Sequence, residues 1–353
     1  MKAITLSEVG AAPEISDNIQ IPEPGEGEIL VKALYTAINP VDAGMATAGY
    51  LVESWPFIPG CDVSGVIVKT GPNATNALGN PFHEGDEVFG CTRLGFKPYT
   101  AWCEYLLMDA PLAIPKPSNI NLAQASASGV GILTASLGVF QGLKVPYPKP
   151  SALPNPVDEW ALVFGGASSV GQFAVQLLKV SGYKVITTCS TKSAELLLSL
   201  GADRVVDYKK PEQEIINEVK GITGGRLSLA FDAVSVNNSL LAALFGALAS
   251  ASEGTTRLYT TTNAGDPIPV STAANSFEVH QIQLGPIGRP EAKDLNKKLG
   301  EIIPVVYELF SNGKLKPSEL SVEGEGIEAI PKAWEIQKSG TKGSTKVVVK
   351  VAA

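Results

Sequence analysis

Residues 161–192, ALVFGGASSVGQFAVQLLKVSGYKVITTCSTK, limit what this chain can fold into more than any other stretch. The run Ala161-Leu162-Val163-Phe164 stops at Gly165-Gly166, and four apolar residues in a row ended by glycine fit a strand buried on both faces. From Ser169 onward, Val170, Phe173, Ala174, Leu177 and Leu178 recur at three- and four-residue spacing, one face of a helix that Gly182 closes. Lys184–Thr188 is short and β-branched, a second strand. Strand, glycine turn, helix and strand make one βαβ crossover, which joins parallel strands and implies a sheet covered by helices.

Such a turn aims the unpaired amides of a helix start over the strand ends, where a phosphate or pyrophosphate is stabilised. The dinucleotide fingerprint G-x-G-x-x-G is partly met: Gly166 and Gly171 hold the outer positions and Ser168 replaces the middle glycine. A phosphate loop for ATP needs Lys and then Ser or Thr after its last glycine, and Gln172-Phe173 follow here. On this motif alone, an ordinary α/β turn without a ligand is the alternative. The end of the second strand adds to the argument. NAD sites carry Asp or Glu about twenty residues past the glycines, whereas Thr188-Cys189-Ser190-Thr191-Lys192 offers hydroxyls and a cation. Ser190 and Lys192 suit a 2′-phosphate, which an acid would repel, so NADPH is expected over NADH. Taken singly, Lys192 reads as a solvated lysine at a helix start.

Composition bounds the partners. The 353 residues exceed one ordinary domain, and 44% hydrophobic with 18% charged residues can bury sizeable cores. A net charge of −7 without a basic stripe argues against nucleic acid or an anionic membrane surface. The N-terminal MKAITLSEVG lacks the apolar core of a signal peptide, and no apolar run is long enough to cross a bilayer, so a cytoplasmic protein acting on a small molecule is expected. Cys61, Cys91, Cys103 and Cys189 are scattered and read as small core residues. Two histidines, His83 and His280, lie far apart, too few for a catalytic zinc, and no metal is expected.

In chain order, the first 125 residues hold short strands cut by Pro and Gly: Ala3–Leu6, Glu28–Ala33, Val63–Val68 and Glu87–Phe89, a small β-barrel-like domain. Residues Leu122–Phe140 read as a helix rich in Ala, Ser and Gly. A Pro-rich connection, Val145–Pro156, leads to the central strand. Beyond the crossover come helix Ala194–Leu200, strand Arg204–Tyr208, helix Glu212–Lys220, strand Leu229–Val234, helix Ser239–Leu248 and strands Thr256–Thr261 and Glu278–Leu284, the pattern of a doubly wound parallel sheet. A long helix, Lys293–Leu309, and a strand, Lys346–Val351, end the chain. That strand has no place in a finished doubly wound sheet and is assigned to the N-terminal β domain.

These residues carry a family resemblance. Asn39-Pro40-Val41-Asp42, Pro59-Gly60-Cys61-Asp62-Val63-Ser64-Gly65-Val66, Gly85-Asp86-Glu87-Val88-Phe89-Gly90, the Gly166–Gly171 turn and Thr345-Lys346-Val347-Val348-Val349 follow one another as in the medium-chain dehydrogenase/reductase superfamily. The whole chain resembles its zinc-free quinone oxidoreductase and fungal trans-acting enoyl reductase branch. In zinc alcohol dehydrogenases of that superfamily His-Glu follows Pro-Gly; here Cys61-Asp62 follow Pro59-Gly60. The resemblance implies a Rossmann domain and a GroES-like catalytic domain, divided as 1–125 (GroES-like), 126–286 (Rossmann, NADPH-binding) and 287–353 (return to the catalytic domain), in a monomer or homodimer. It places pyrophosphate and nicotinamide ribose against Gly166, Ser168, Ser169 and Val170, and the 2′-phosphate against Ser190, Lys192 and Tyr208. Leu284 joins the cofactor set. Thr134 would lie near the nicotinamide, Asn39 and Asp42 would line the cleft, and Tyr50 is a further catalytic candidate. Packing on the sheet is the alternative for Tyr208, a backbone-bonded hydroxyl for Thr134, and bracing of the loop for Asp42.

Enoyl reductases of this branch typically place a lysine two residues after Asn-Pro-x-Asp, thought to polarise the substrate carbonyl, and this chain has Ala43-Gly44. Two expectations follow. One is an NADPH-dependent reductase passing hydride to an activated alkene or a quinone, in secondary metabolism. The other is a nucleotide-holding protein of the same fold without redox turnover.

Overall fold

The computed structural model describes residues 1–149, 153–248, 256–262 and 276–352. Residues 150–152 of the Pro-rich connection therefore lie outside the described residues. Two compact units divide the chain: Met1–Leu133 with Leu284–Gly313 and Pro317–Ala353, and Thr134–Gln283 with Lys314–Lys316.

The first unit begins with β1 (Ala3–Thr5), β2 (Glu14–Ser16), β3 (Glu28–Ala37), α1 (Pro40–Ala48), β4 (Asp62–Thr70), β5 (Glu87–Cys91), β6 (Tyr105–Asp109) and β7 (Ile114–Pro115). The helix α1 has no strong apolar stripe and escapes periodicity. Its boundaries are local chemistry instead: Pro40 at the first position, Asp42 in the first turn, and Gly49 at φ 67° closing it with its amide on the Met45 carbonyl. The helix expected over Leu122–Phe140 is broken into α2 (Leu122–Ser126), α3 (Gly129–Ser136) and a wider turn over Leu137–Gly142. At the break, the hydroxyls of Ser126 and Ser128 donate to the carbonyls of Ala123 and Gln124, competing with the backbone ladder.

The second unit carries β8 (Trp160–Phe164), α4 (Ser169–Val180), β9 (Lys184–Cys189), α5 (Ala194–Ser199), β10 (Arg204–Asp207), α6 (Glu212–Thr223), β11 (Leu227–Asp232), α7 (Asn238–Ala247), β12 (Arg257–Thr261) and β13 (Phe277–Gln281). Its strands pair in parallel in the order β10-β9-β8-β11-β12-β13, the 3-2-1-4-5-6 order of a Rossmann sheet. Leu162, Phe164, Ile186, Ala230 and Tyr259 fill one face of that sheet with Ile215, Val219, Leu241 and Phe245 from α6 and α7. The last strand stops at Gln281, so Leu284 is not in a strand as expected, and Tyr208 lies just past the end of β10.

The chain closes with α8 (Lys293–Ser311), β14 (Leu320–Glu325), α9 (Ile330–Lys338) and β15 (Lys346–Lys350), all within the first unit. There β15 pairs antiparallel with β3 and parallel with β14, in a sheet ordered β14-β15-β3-β4-β5-β7, with β6 also on β3. Among the described residues no helix is long and apolar enough to cross a membrane.

Candidate functional site

In the second unit the glycine turn is built by close approach. A Cβ on Gly166 would stand 2.0 Å from the Thr187 hydroxyl, and one on Gly171 would stand 2.3 Å from the Gly165 carbonyl oxygen. Ser168 caps α4 by accepting from the Gly171 amide at 3.0 Å. The Gly165 amide donates to the Thr188 hydroxyl at 3.0 Å and the Gly166 amide to the Thr188 carbonyl at 3.0 Å. The turn is thus tied to the end of β9. Ser169 and Val170 occupy the first turn of α4, at the positive end of its dipole, a seat for a pyrophosphate.

At the end of β9, Ser190 is half-buried and Lys192 is exposed. Tyr208 is 56% exposed rather than packed on the sheet. No acid stands among residues 190–194 directly after β9, although Asp207 is Cys189's register partner on β10, and its Oδ1 accepts from the Lys209 amide at 3.0 Å. Hydroxyls, a cation and an exposed phenol are what a 2′-phosphate needs. Thr134 is buried, on α3, and Leu284 is buried in the first unit.

In the first unit the candidate residues Asn39 and Asp42 belong to a buried polar cluster. Asn39 is 2% exposed and directly precedes α1. Its Oδ1 accepts from Lys346 Nζ, and its Nδ2 donates to Asp62 Oδ2 at 2.9 Å. These partners set the orientation of the amide. Asp62 Oδ2 also lies 3.2 Å from Lys346 Nζ, and its Oδ1 accepts from the Val130 amide at 2.6 Å, in the first turn of α3. Asp42 Oδ2 accepts from the Asn39 amide at 2.7 Å, and Cys61 Sγ donates to Asp42 Oδ1 at 3.6 Å. Asn39 and Asp42 therefore spend their polar groups inside the protein, and Asp42 braces the start of α1. Tyr50, just beyond α1, is 54% exposed.

Burial pushes the Asp42 carboxyl up to about 7, against the Asn39 amide and Lys346, which favour its ionised form. Burial also raises Asp62, with Lys346, Asn39 and the Val130 amide opposing. The Cys61 thiol is pushed up by its neighbour Cys91 and by burial.

Residues 25–118 match the family described as "Alcohol dehydrogenase GroES-like domain", and residues 169–277 match "Zinc-binding dehydrogenase". Along its length the chain is 31% identical over 359 residues to the trans-enoyl reductase phm4 of a Pyrenochaetopsis species, covering 95% of this chain and 92% of that one. This chain belongs to the medium-chain dehydrogenase/reductase superfamily. A second relative, the trans-enoyl reductase ACTTS2 of Alternaria alternata, is 31% identical over 345 residues, 95% of each chain. Solved structures share the fold. An alcohol dehydrogenase superfamily protein from Novosphingobium aromaticivorans has a TM-score of 0.80 at 22% identity over 99% of both chains. Escherichia coli quinone oxidoreductase complexed with NADPH has a TM-score of 0.72 at 20% identity, over 99% of this chain and 100% of that one.

Cys61 and Asp62 are tied into the Asn39 cluster, and among the described residues no three His, Cys, Asp or Glu side chains gather as a metal would need. Sequence reasoning missed Lys346 and Asp62 as members of the site, quoting both only as motif letters. The available signal was a charged residue at the head of a strand, directly before valine, in each motif, Asp62-Val63 and Lys346-Val347.

The Asp42 shift has a consequence for stability. Its folded carboxyl holds a proton up to about 7 while the unfolded one releases it at the ordinary carboxylate value near 3.8, so stability attributable to Asp42 falls as pH rises through that window and is level outside it. Asp42→Asn keeps the shape of the protonated acid. Its unfolding free energy relative to wild type should rise by about 2–3 kcal/mol between pH 5 and pH 8 in urea titrations. A difference independent of pH would contradict the burial argument.

Proposed function

We propose that this protein is an NADPH-dependent reductase that transfers hydride to the β-carbon of an activated alkene or to a quinone. The observation that carries the reading is the glycine-turned start of α4 tied to a β9 end that offers Ser190 and Lys192 and no acid. Two relatives of nearly full length are named trans-enoyl reductases, and the Escherichia coli neighbour, a quinone oxidoreductase, was crystallised with NADPH. The alternative of a nucleotide-holding module without turnover gains no support from them.

NADPH would supply the hydride, the electron pair that forms the new C–H bond. Ser168, Ser169, Val170 and the α4 dipole would hold its pyrophosphate, and Ser190, Lys192 and Tyr208 its 2′-phosphate. The electrons displaced from the C=C end on the substrate carbonyl oxygen, which a hydroxyl such as that of Thr134 would hydrogen-bond. A proton from water then completes the product.

Oxidation of NADPH by a panel of enones, enoyl thioesters and quinones tests the reading; no turnover across the panel would refute it. In fluorescence titrations NADPH should bind about tenfold tighter than NADH, and Lys192→Ala should remove most of that preference. Equal affinities in the wild type would refute the assignment of the 2′-phosphate.

Gly44 bears on the substrate. A Cβ there would meet no atom within 4 Å, so α1 leaves open space where a side chain could stand. The proposed substrate is a bulky, neutral unsaturated carbonyl or quinone rather than a carrier-bound acyl chain. Gly44→Lys fills that space with an ammonium, and it should keep NADPH affinity while cutting turnover of the best panel substrate by about tenfold or more. A gain in turnover would show that only the cation was missing.

A further inference from the structure

We propose that Lys346 is a positioning residue for the reaction, fixing from β15 the Asn39 amide and the Asp62 carboxylate and, through them, the starts of α1 and α3. The proposal rests on the reductase reading. Four segments distant in sequence meet in this cluster: Asn39 and Asp42 before and in α1, Asp62 at the head of β4, Val130 in the first turn of α3, and Lys346 at the head of β15.

An asparagine before a helix ordinarily turns its side chain onto the first-turn amides. Here Lys346 and Asp62 also hold that side chain between them, and the Asp42 carboxyl reaches back to the Asn39 amide. Lys346 is 8% exposed at its side chain and Asp62 is 0% exposed, so the ammonium is spent on this cluster and not on water. A Cβ on Gly129 would stand 2.4 Å from Asp62 Oδ1, so glycine is what lets that carboxylate reach the start of α3.

The arithmetic of charge explains why the ammonium matters. Asp42 is faced by Cys61 from the segment before β4, by Asp62 from β4 and by Lys346 from β15; Lys346 is the cation among them. Without it, the two buried carboxyls stand close together uncompensated, and Asp42 gives up its proton less readily. Asn39 Oδ1 then loses its donor, and Asp62 Oδ2 loses the cation beside it. The amide would then turn, and the two helix starts would lose their shared anchor. Those helices carry the substrate-side candidates: α1 bears Gly44 and leads to Tyr50, and α3 bears Thr134.

The test compares wild type with Lys346→Met, Lys346→Gln and Lys346→Arg, reading the carboxyl titration of Asp42 by isotope-edited infrared spectroscopy, NADPH affinity, kcat, and KM for the best panel substrate. In Lys346→Met the Asp42 midpoint should rise by at least about half a pH unit, because a cation that favours the carboxylate is gone. Its kcat should fall by about tenfold or more, with NADPH affinity held within about threefold. Lys346→Arg should restore the midpoint and at least about a third of kcat. An unmoved midpoint with unchanged kcat would overturn the proposal. So would a common loss of kcat, NADPH affinity and thermal midpoint that arginine does not repair, or failure of all three variants to fold. If Lys346→Met alone fails to fold, Lys346→Gln, a neutral donor, takes its place with the same expected results. If wild type turns over nothing in the panel, the reductase reading falls, and the Asp42 midpoint alone decides whether Lys346 positions the cluster.

Discussion

Replacing Asp62 by alanine is expected to lower the free energy of unfolding by about 3–5 kcal/mol, the cost of removing one partner of a buried ion pair. Three donors lose their acceptor at once: the Val130 amide, Asn39 Nδ2 and, in part, Lys346 Nζ. The ammonium is the costly one, because it stays buried with less compensation. A shift of this size should lower the calorimetric midpoint of the first unit by roughly 6–15 °C. The double variant Asp62→Ala with Lys346→Met distinguishes this cause from lost packing. It removes the stranded charge, so its destabilisation should be clearly smaller than the sum of the two single losses. Simple additivity would mean that Asp62 and Lys346 do not act on one another.

Gly171→Ala is expected to weaken NADPH binding by roughly 30- to 150-fold, equivalent to about 2–3 kcal/mol. The added methyl would stand 2.3 Å from the Gly165 carbonyl oxygen and 2.7 Å from Gly166 Cα, and both are backbone atoms that cannot rotate away. The start of α4 must therefore lift off the turn, an overpacking strain of about 1–3 kcal/mol, and the amides that face the pyrophosphate move with it. Fluorescence titration with NADPH reads the loss. Gly44→Ala is the control, since its methyl meets nothing within 4 Å and should leave the affinity unchanged. Unaltered binding in Gly171→Ala would show that the pyrophosphate does not use this turn.

The two predictions fall on features of different legibility. The Gly171 turn was readable because everything it needs lies within a few residues. The apolar run before it, the two glycines and the three-and-four spacing after it are the local record of a strand, a tight turn and a buried helix face. The strand order β10-β9-β8-β11-β12-β13 follows from repeating that unit with right-handed crossovers. The acid-free end of β9 is likewise a run of adjacent letters, and so is the substitution of His-Glu by Cys61-Asp62.

Elements without a strong period were lost for the opposite reason. The helix α1 is short and small-residued and depends on Pro40, Asp42 and Gly49, while β6 is defined by its pairing with β3. The interruption of Leu122–Phe140 came from serine hydroxyls competing with the ladder and from the need to bring Gly129 against Asp62.

By itself, then, the sequence determined the fold class, the family motifs and the glycine turn before α4, because hydrophobic periodicity and turn chemistry act between neighbours in the chain. Only the tertiary structure decided what Asn39, Asp42, Asp62 and Lys346 do. Each is an ordinary polar residue in its own segment. Burying them together sets the orientation of the Asn39 amide, lifts the Asp42 carboxyl to about 7 and gives Lys346 its partners. Burial and pairing are properties of the space around a side chain, and the residues that make that space lie up to 307 positions apart.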